Sequence, residues 1–466
     1  MQKKYPALFA LLLFTLSLLA QNSNNILDSY GRTLILHGLN TSGSAKHIEG
    51  HQPWITEADV AREQKEFGFN CVRYLIFWGA IEPEKDQYDE AYLKKVKERV
   101  EWYTSRKMYV ILDMHQDVFG YGVGGNGAPV WACTQTKIQN LIPDKWPWWM
   151  QNMEPKVKQS YIQFFKYKKR KELQQHYILC WQKVLAMFKD NPYVLGYDLM
   201  NEPHGGLIVK TLAGGFERRQ LKAFYNRLIP AVRSIDTSKY IFFEPRSFGV
   251  NFGMKSHLPV VHDAIANQKL VYAPHVYPAF VDIGGDFKPK HRKSLAAIFK
   301  TRAKETNKHK APMLIGEFGL SPTKKDFDSY LRLFNQLADS CHASWAYWSN
   351  DHGGWSPLKA DGSPTPILPE LLRVFPQATA GNLISYRYQP VEKHFEMEFV
   401  SNTAITTPTV IAVPRSIYPN GYDLKVLGSK DYKTEIDAIT NSALLYVHEP
   451  NAKVAVIISA KPPMIK

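Results

Sequence analysis

Tyr197-Asp198-Leu199-Met200-Asn201-Glu202-Pro203 and Met313-Leu314-Ile315-Gly316-Glu317-Phe318-Gly319 decide how this chain is read. Each begins as a short apolar run, dense enough for a strand buried on both faces, and each stops at a carboxylate. Working outward, the same kind of run recurs, giving strand candidates at 34–39, 71–78, 108–115, 194–201, 240–245, 270–277, 313–318 and 343–349. Amphipathic helical stretches alternate with them, among them 57–67, 90–106, 172–188, 216–235 and 325–337. Eight β–α units at this spacing predict an α/β fold, a TIM (β/α)8 barrel over 21–380. After Pro376 the pattern changes to short alternating runs at 387–390, 394–399, 410–413, 424–426, 443–448 and 452–458, with turns such as Pro419-Asn420-Gly421 between them. These predict an antiparallel β-sandwich over 381–466, there to brace the barrel more than to bind ligand.

Bulk composition narrows the class. With 45% hydrophobic and 22% charged residues in 466, an ordinary globular core is expected and disorder is not. The 11 Trp and 25 Tyr serve equally as sugar-stacking platforms or as a ring-rich core. The net charge of +15 finds no nucleic-acid-binding motif, so no nucleic acid is expected as a partner. A basic surface favours approach to anionic membranes instead. The run Lys166-Tyr167-Lys168-Lys169-Arg170-Lys171 is read as a solvated helix face. Lys3 and Lys4 precede an apolar run over 7–20, then Gln21-Asn22-Ser23-Asn24-Asn25, so 1–20 reads as a signal peptide of a secreted or periplasmic protein. Cys71, Cys133, Cys180 and Cys341 are widely spaced with no CxxC, which argues against zinc and leaves disulfides and buried thiols both open.

Splitting a glycosidic bond takes a proton for the leaving oxygen and a negative charge beside the developing oxocarbenium ion. Glu202 suits the acid/base role and Glu317 the nucleophile, with Asn201 placed to hydrogen-bond the hydroxyl beside the reacting carbon. At a separation of about 5–5.5 Å such a pair retains anomeric configuration through a covalent intermediate. Other polar residues gather at strand ends: His115 and Asp117 at the third, Glu244 at the fifth, His275 and Tyr277 at the sixth, Trp348 at the eighth. Tyr277 is expected to hold Glu317, and Trp348 to floor the sugar. Glu244 suits structure and substrate contact equally. Two carboxylates suffice for this chemistry, so neither cofactor nor metal is expected. The connection over 117–155 is too long to be ordinary and carries Trp131, Trp146, Trp148 and Trp149; one of Trp146, Trp148 or Trp149 is expected to touch an apolar ligand.

Asn-Glu-Pro and Glu-Phe-Gly resemble the retaining β-glycosidases built on barrels. His115-Gln116-Asp117-Val118-Phe119, Gly124-Gly125-Asn126-Gly127-Ala128-Pro129-Val130-Trp131-Ala132 and Asn201-Glu202-Pro203-His204-Gly205-Gly206 resemble more narrowly the endoglycoceramidases of glycoside hydrolase family 5. The resemblance implies cleavage between glycan and ceramide in a glycosphingolipid, with Glu202 as acid/base and Glu317 as nucleophile. It also implies a sugar subsite of Lys46, His115, Asp117, Asn201, Tyr277 and Trp348. His204 stands where members of the group vary, often with an aromatic. Alternatives are an endo-β-1,4-glucanase, a β-glucosidase acting on glucosylceramide or steryl glucoside, and a non-catalytic glycolipid-binding protein. A monomer is expected.

Overall fold

The computed structural model describes residues 25–134, 141–142, 148–265 and 269–461. The expected signal peptide at 1–20 and Trp146 lie outside them. Eight strands form the barrel: β1 (His37–Asn40), β2 (Cys71–Ile76), β3 (Tyr109–Met114), β4 (Val194–Asp198), β5 (Tyr240–Phe243), β6 (Leu270–Tyr272), β7 (Leu314–Ile315) and β8 (Ser344–Tyr347). All are paired in parallel, in the order β6-β5-β4-β3-β2-β1-β8-β7. A parallel bridge between Tyr272 and Met313 closes the ring. Every strand residue is buried except half-buried Tyr109, which is why these segments read as continuous apolar runs.

The longer helices outside the barrel are α1 (Glu57–Lys65), α2 (Glu90–Thr104), α3 (Pro155–Phe165), α4 (Lys171–Phe188), α5 (Lys222–Arg233), α6 (Pro289–His309) and α7 (Phe327–Ser340). Local chemistry sets their starts. Thr56 and Asp59 form a reciprocal capping box on α1, and Asp89 caps α2 through the Tyr92 N–H. The basic run at 166–171 is not helical as expected. Helix α3 ends at Phe165 and α4 begins at Lys171, so the run is the turn between them, where Lys168 and Lys169 point into solvent. All four cysteines are thiols.

The sandwich has two antiparallel sheets. The smaller contains β10 (Gly381–Gln389), β11 (His394–Ser401), β13 (Tyr422–Leu427) and β16 (Lys453–Ala460). The larger contains β9 (Phe375–Thr379), β12 (Thr409–Ala412), β14 (Tyr432–Ile436) and β15 (Ala443–Val447), together with a hairpin of Ile26–Leu27 and Thr33–Leu34. Leu34 pairs with Ala378, so a segment preceding the barrel strands completes a sheet that otherwise follows them. Against the sandwich, the His37 ring of β1 stacks between Trp345 at 4.2 Å and Phe375 at 3.9 Å, and buried Arg373 pairs with Asp339 of α7.

Candidate active site

The segments after the strands carry the site. β4 ends at Asp198, four residues short of Glu202, and β7 ends at Ile315, two short of Glu317. Glu202 has a left-handed backbone (φ 47°), which a non-glycine residue adopts only when its surroundings hold it there. Three partners do so. Its N–H donates to Glu244 Oε2 at 2.9 Å, and its carbonyl accepts from Gln116 Nε2 and the Ser247 hydroxyl.

The two glutamates face each other across His275. A carboxylate oxygen of Glu202 and one of Glu317 lie within 4.8 Å, close to the spacing at which a carboxylate pair works with retention. Glu202 Oε1 accepts from His275 Nδ1 at 2.9 Å and from Asn251 Nδ2 at 2.6 Å. Glu317 Oε2 accepts from the Tyr277 hydroxyl at 3.0 Å, and Oε1 from Arg73 Nη1 at 3.0 Å.

Arg73 is the centre of the layer beneath. It is wholly buried and lies 2.9–3.0 Å from carboxylates of Asp113, Asp198, Glu244 and Glu317. It also donates to the side-chain oxygens of Asn40 and Asn201. Acids outnumber bases here, and the titrations follow. Burial pushes Glu244 up to about 8 and Asp198 up to about 6, against the pull of His275 and Arg73. Burial alone would lower His275, but Glu244 and Glu317 prevail and raise it well above the usual imidazole value.

On the other side, Lys46 Nζ lies 2.6 Å from Asp117 Oδ2 and 4.0 Å from the centre of the Trp348 ring. Burial would lift Asp117, yet Lys46 and His115 hold it well below the usual carboxylate range. His115 stacks on Trp348 at 5.4 Å and is fixed by Asp113 Oδ2 at 2.7 Å. Burial and Lys46 lower the imidazole, Asp113 and Asp117 raise it, and the net direction is up. The Gly-Asn-Gly-Ala loop folds back to pin Asp117: Asp117 and Asn126 exchange backbone bonds, and Asn126 Nδ2 reaches Asp117 Oδ2 at 3.1 Å. Only glycine fits at 127, where φ is 108° and a Cβ would sit 2.3 Å from that of Gln116.

The cleft is open, about 630 Å³ in volume. Glu202, Glu317, Lys46, Asp117, Tyr277 and Trp348 line it, whereas His115, Asn201 and His275 form the layer underneath. Asn201 is engaged at both ends, accepting from Arg73 and donating to the Gln116 carbonyl. Glu244 is also beneath, buried and bonded to protein, so its work is positional. Buried His204 accepts from the Gly206 N–H and packs on Tyr161 and Phe248; it does not face the cleft. Trp131 also turns inward, against Trp78 and His176. Trp149 packs on Phe248 and Phe252, beside the Glu202 wall; the side chain of Trp148 is outside what is described.

Sequence reasoning passed over Arg73, Asn251 and Asp282. Arg73 had a signal, a lone charge in the apolar strand Cys71-Val72-Arg73-Tyr74-Leu75-Ile76. Asn251 lies in a loop and Asp282 ends the four-residue helix Ala279–Asp282, and no local pattern reveals the course of either segment. Asp282 lines the cleft, and burial followed by the Glu202 charge pushes it up to about 8. Two triads of described side chains converge closely enough to share an ion: Glu202, His275 and Glu317, and also Glu82, Asp86 and His176. In the second, Glu82 is already bonded by Trp78 Nε1, His176 Nδ1 and the Asp86 N–H.

This geometry agrees with the comparison to known proteins. The family model described as cellulase (glycosyl hydrolase family 5) matches residues 27–354. The chain belongs to glycosyl hydrolase family 5. The family's C-terminal domain matches 373–458. Like the rest of the family, the chain is a glycoside hydrolase acting on O-glycosyl bonds. Within the family it groups with the endoglycoceramidases. An endoglycoceramidase from Cyanea nozakii is 27% identical over 446 residues, covering 87% of this chain and 86% of that one. The structure of endo-glycoceramidase II from Rhodococcus sp. with ganglioside GM3 is 33% identical, covers 94% of this chain and 100% of that one, and superposes with a TM-score of 0.87. The same enzyme solved as a lactosyl-enzyme intermediate is 32% identical over the same shares, with a TM-score of 0.85.

Proposed function

We propose that this protein hydrolyses the bond between glycan and ceramide in glycosphingolipids, with retention, releasing the glycan intact. The observation that carries the reading is the Glu202–Glu317 pair. It stands within 4.8 Å in a chain 32% identical to an endo-glycoceramidase trapped as a lactosyl-enzyme.

In the first step Glu317 attacks the anomeric carbon while Glu202 gives its proton to the glycosidic oxygen, forming glycosyl-enzyme and free ceramide. In the second Glu202 takes a proton from water, which attacks the same carbon and frees Glu317. The Tyr277 hydroxyl and Arg73 hold Glu317 from two sides, leaving it little freedom to rotate away from the sugar. Asn251 and His275 orient Glu202 in the same way. Trp348, Lys46 and Asp117 bind the glycone, so the aglycone departs over Glu202 towards the loops after β5 and β6. There a second hollow of about 480 Å³ is walled mainly by apolar side chains such as Phe252, Pro278, Phe280 and Ile283, as a lipid requires.

Incubation with lactosylceramide or GM3 tests the reading. Intact oligosaccharide plus ceramide by mass spectrometry, with the β-anomer appearing first by NMR, is expected. Release of monosaccharide, an α-anomer first, or turnover confined to cellulose oligomers would sink it.

A further inference from the structure

We propose that β14 is a dimerisation strand: two copies of this chain join their larger sandwich sheets edge to edge and antiparallel, about a two-fold axis at Thr434.

The first observation is an open edge. β14 ends the larger sheet, and among the described residues it pairs with β15 alone. All five of its residues are exposed, and its register with β15 runs through them without a bulge. Proline and bulges are common guards of a sheet edge, and β14 has neither. Alternate residues carry the ladder to β15. The Asp437 N–H donates to the Ser442 carbonyl, and the Asp431 carbonyl accepts from the His448 N–H, so Lys433 and Glu435 between them bond to β15. The N–H and carbonyl groups of Tyr432, Thr434 and Ile436 therefore point off the edge.

The second observation is that the strand complements itself. Pairing about Thr434 sets Tyr432 opposite Ile436 of the other copy and Lys433 opposite its Glu435. The residues whose backbone groups point outward then meet and bond across the axis. Lys433 and Glu435 fall at the positions between, where opposed side chains come closest. Because the interface is isologous, each of these pairs forms twice. Within one chain Lys433 Nζ lies 2.5 Å from Glu435 Oε1, and the other copy offers each a second partner.

The third observation is what stays uncovered. Tyr432, Thr434 and Ile436 stand opposite Val447, Leu445 and Ala443, which form the core-facing side of β15. Yet Tyr432 is 40% exposed and Ile436 61%, so the core-facing side of the sheet runs on past the core. A second sheet joined at this edge continues that side and covers it from both copies. The catalytic cleft is not involved. Arg415 Nη2 donates to the Ala438 carbonyl and Asn441 Nδ2 to the Val413 carbonyl, tying the turn after β14 to the segment after β12. That segment packs at Gly68, in the turn leading into β2, where a Cβ would sit 3.0 Å from Pro414 Cγ. The strand is thus anchored towards the N-terminal face of the barrel, and both clefts open on the other.

Sedimentation velocity of the full chain tests the proposal. Wild type is expected to sediment as a dimer at micromolar concentrations. Lys433→Glu and Glu435→Lys each set like charges opposite one another on both sides of the axis, and each alone is expected to weaken the dimer about ten-fold or more. An equimolar mixture of the two sets acids against lysines and is expected to restore it. Thr434→Pro removes an outward N–H, where an edge strand tolerates proline, so it should keep its Tm near that of wild type and sediment as a monomer. A monomeric wild type, single variants that dimerise like wild type, or a mixture no tighter than its components would overturn the proposal.

Discussion

The floor of the cleft and its rim are built on opposite terms. Beneath Glu317 a single guanidinium touches four carboxylates, and none of its surface meets water. A short way off, Val209 and Ile283 leave most of their surface uncovered. The floor leaves two glutamates no choice of position, and it does so with charges buried at a desolvation penalty that only dense pairing offsets. The rim makes no such network and keeps aliphatic surface where folding alone would have removed it. Chemistry is fixed in the first region, and the second stands apart from it.

The largest expected effect lies at the floor's surface. Glu317→Gln should lower kcat by about 10^4-fold or more with the fold retained. The two glutamates are told apart by azide. In Glu202→Ala it should intercept the glycosyl-enzyme and give the β-glycosyl azide; in Glu317→Ala it should replace the nucleophile and give the α-anomer. The same anomer from both would dissolve the division of roles. One layer down, Arg73→Met leaves four carboxylates around an apolar side chain. A loss of about 3–5 kcal/mol in urea unfolding is expected. A variant as stable as wild type would show that the floor is not held by this cation.

The difference between the regions also explains what could be read from residues alone. The eight barrel strands were legible because each is a buried run with a strong apolar signature, and both glutamates because they close such runs in distinctive company. Strand lengths were overread: 270–277 shrinks to Leu270–Tyr272, since residues that turn into a site keep apolar neighbours after leaving the ladder. Arg73 was visible as an oddity, but the four acids it serves come from β3, β4 and the segments after β5 and β7, which only closure of the barrel brings together. The rim left no trace, because Val209 and Ile283 are ordinary hydrophobics until their exposure is known. The hairpin at 26–34 and Tyr432–Ile436 escaped notice for a related reason: two-residue strands carry no period, and β14 is exposed along its whole length.

Tyr277→Phe sharpens the comparison at intermediate size. The lost bond is to a charged group, worth about 1.5–3 kcal/mol, so kcat should fall about 10- to 100-fold with KM little changed. Val209→Asp should leave kcat on a soluble aryl lactoside at the wild-type level. If both variants lose turnover on that soluble substrate, floor and rim are not separable.

The smallest effect concerns His204, inside the wall between the two regions. Burial pushes its imidazole down to about 4, against about 6.5 in an unfolded chain. Between those values the unfolded chain binds a proton that the folded one refuses. Its penalty is therefore absent above pH 6.5, grows as pH falls, and levels off below pH 4 at about 3 kcal/mol. His204→Phe removes the penalty but leaves the Gly206 N–H without its acceptor, at about 1 kcal/mol whatever the pH. The variant should accordingly melt below wild type at pH 7.5 and above it at pH 4.5. Other histidines that burial pushes down, among them His37, His309 and His342, weigh on both proteins alike and cancel in the difference. Two Tm curves that stay parallel across this range would mean that His204 is protonated in the folded wall, and that the wall admits water.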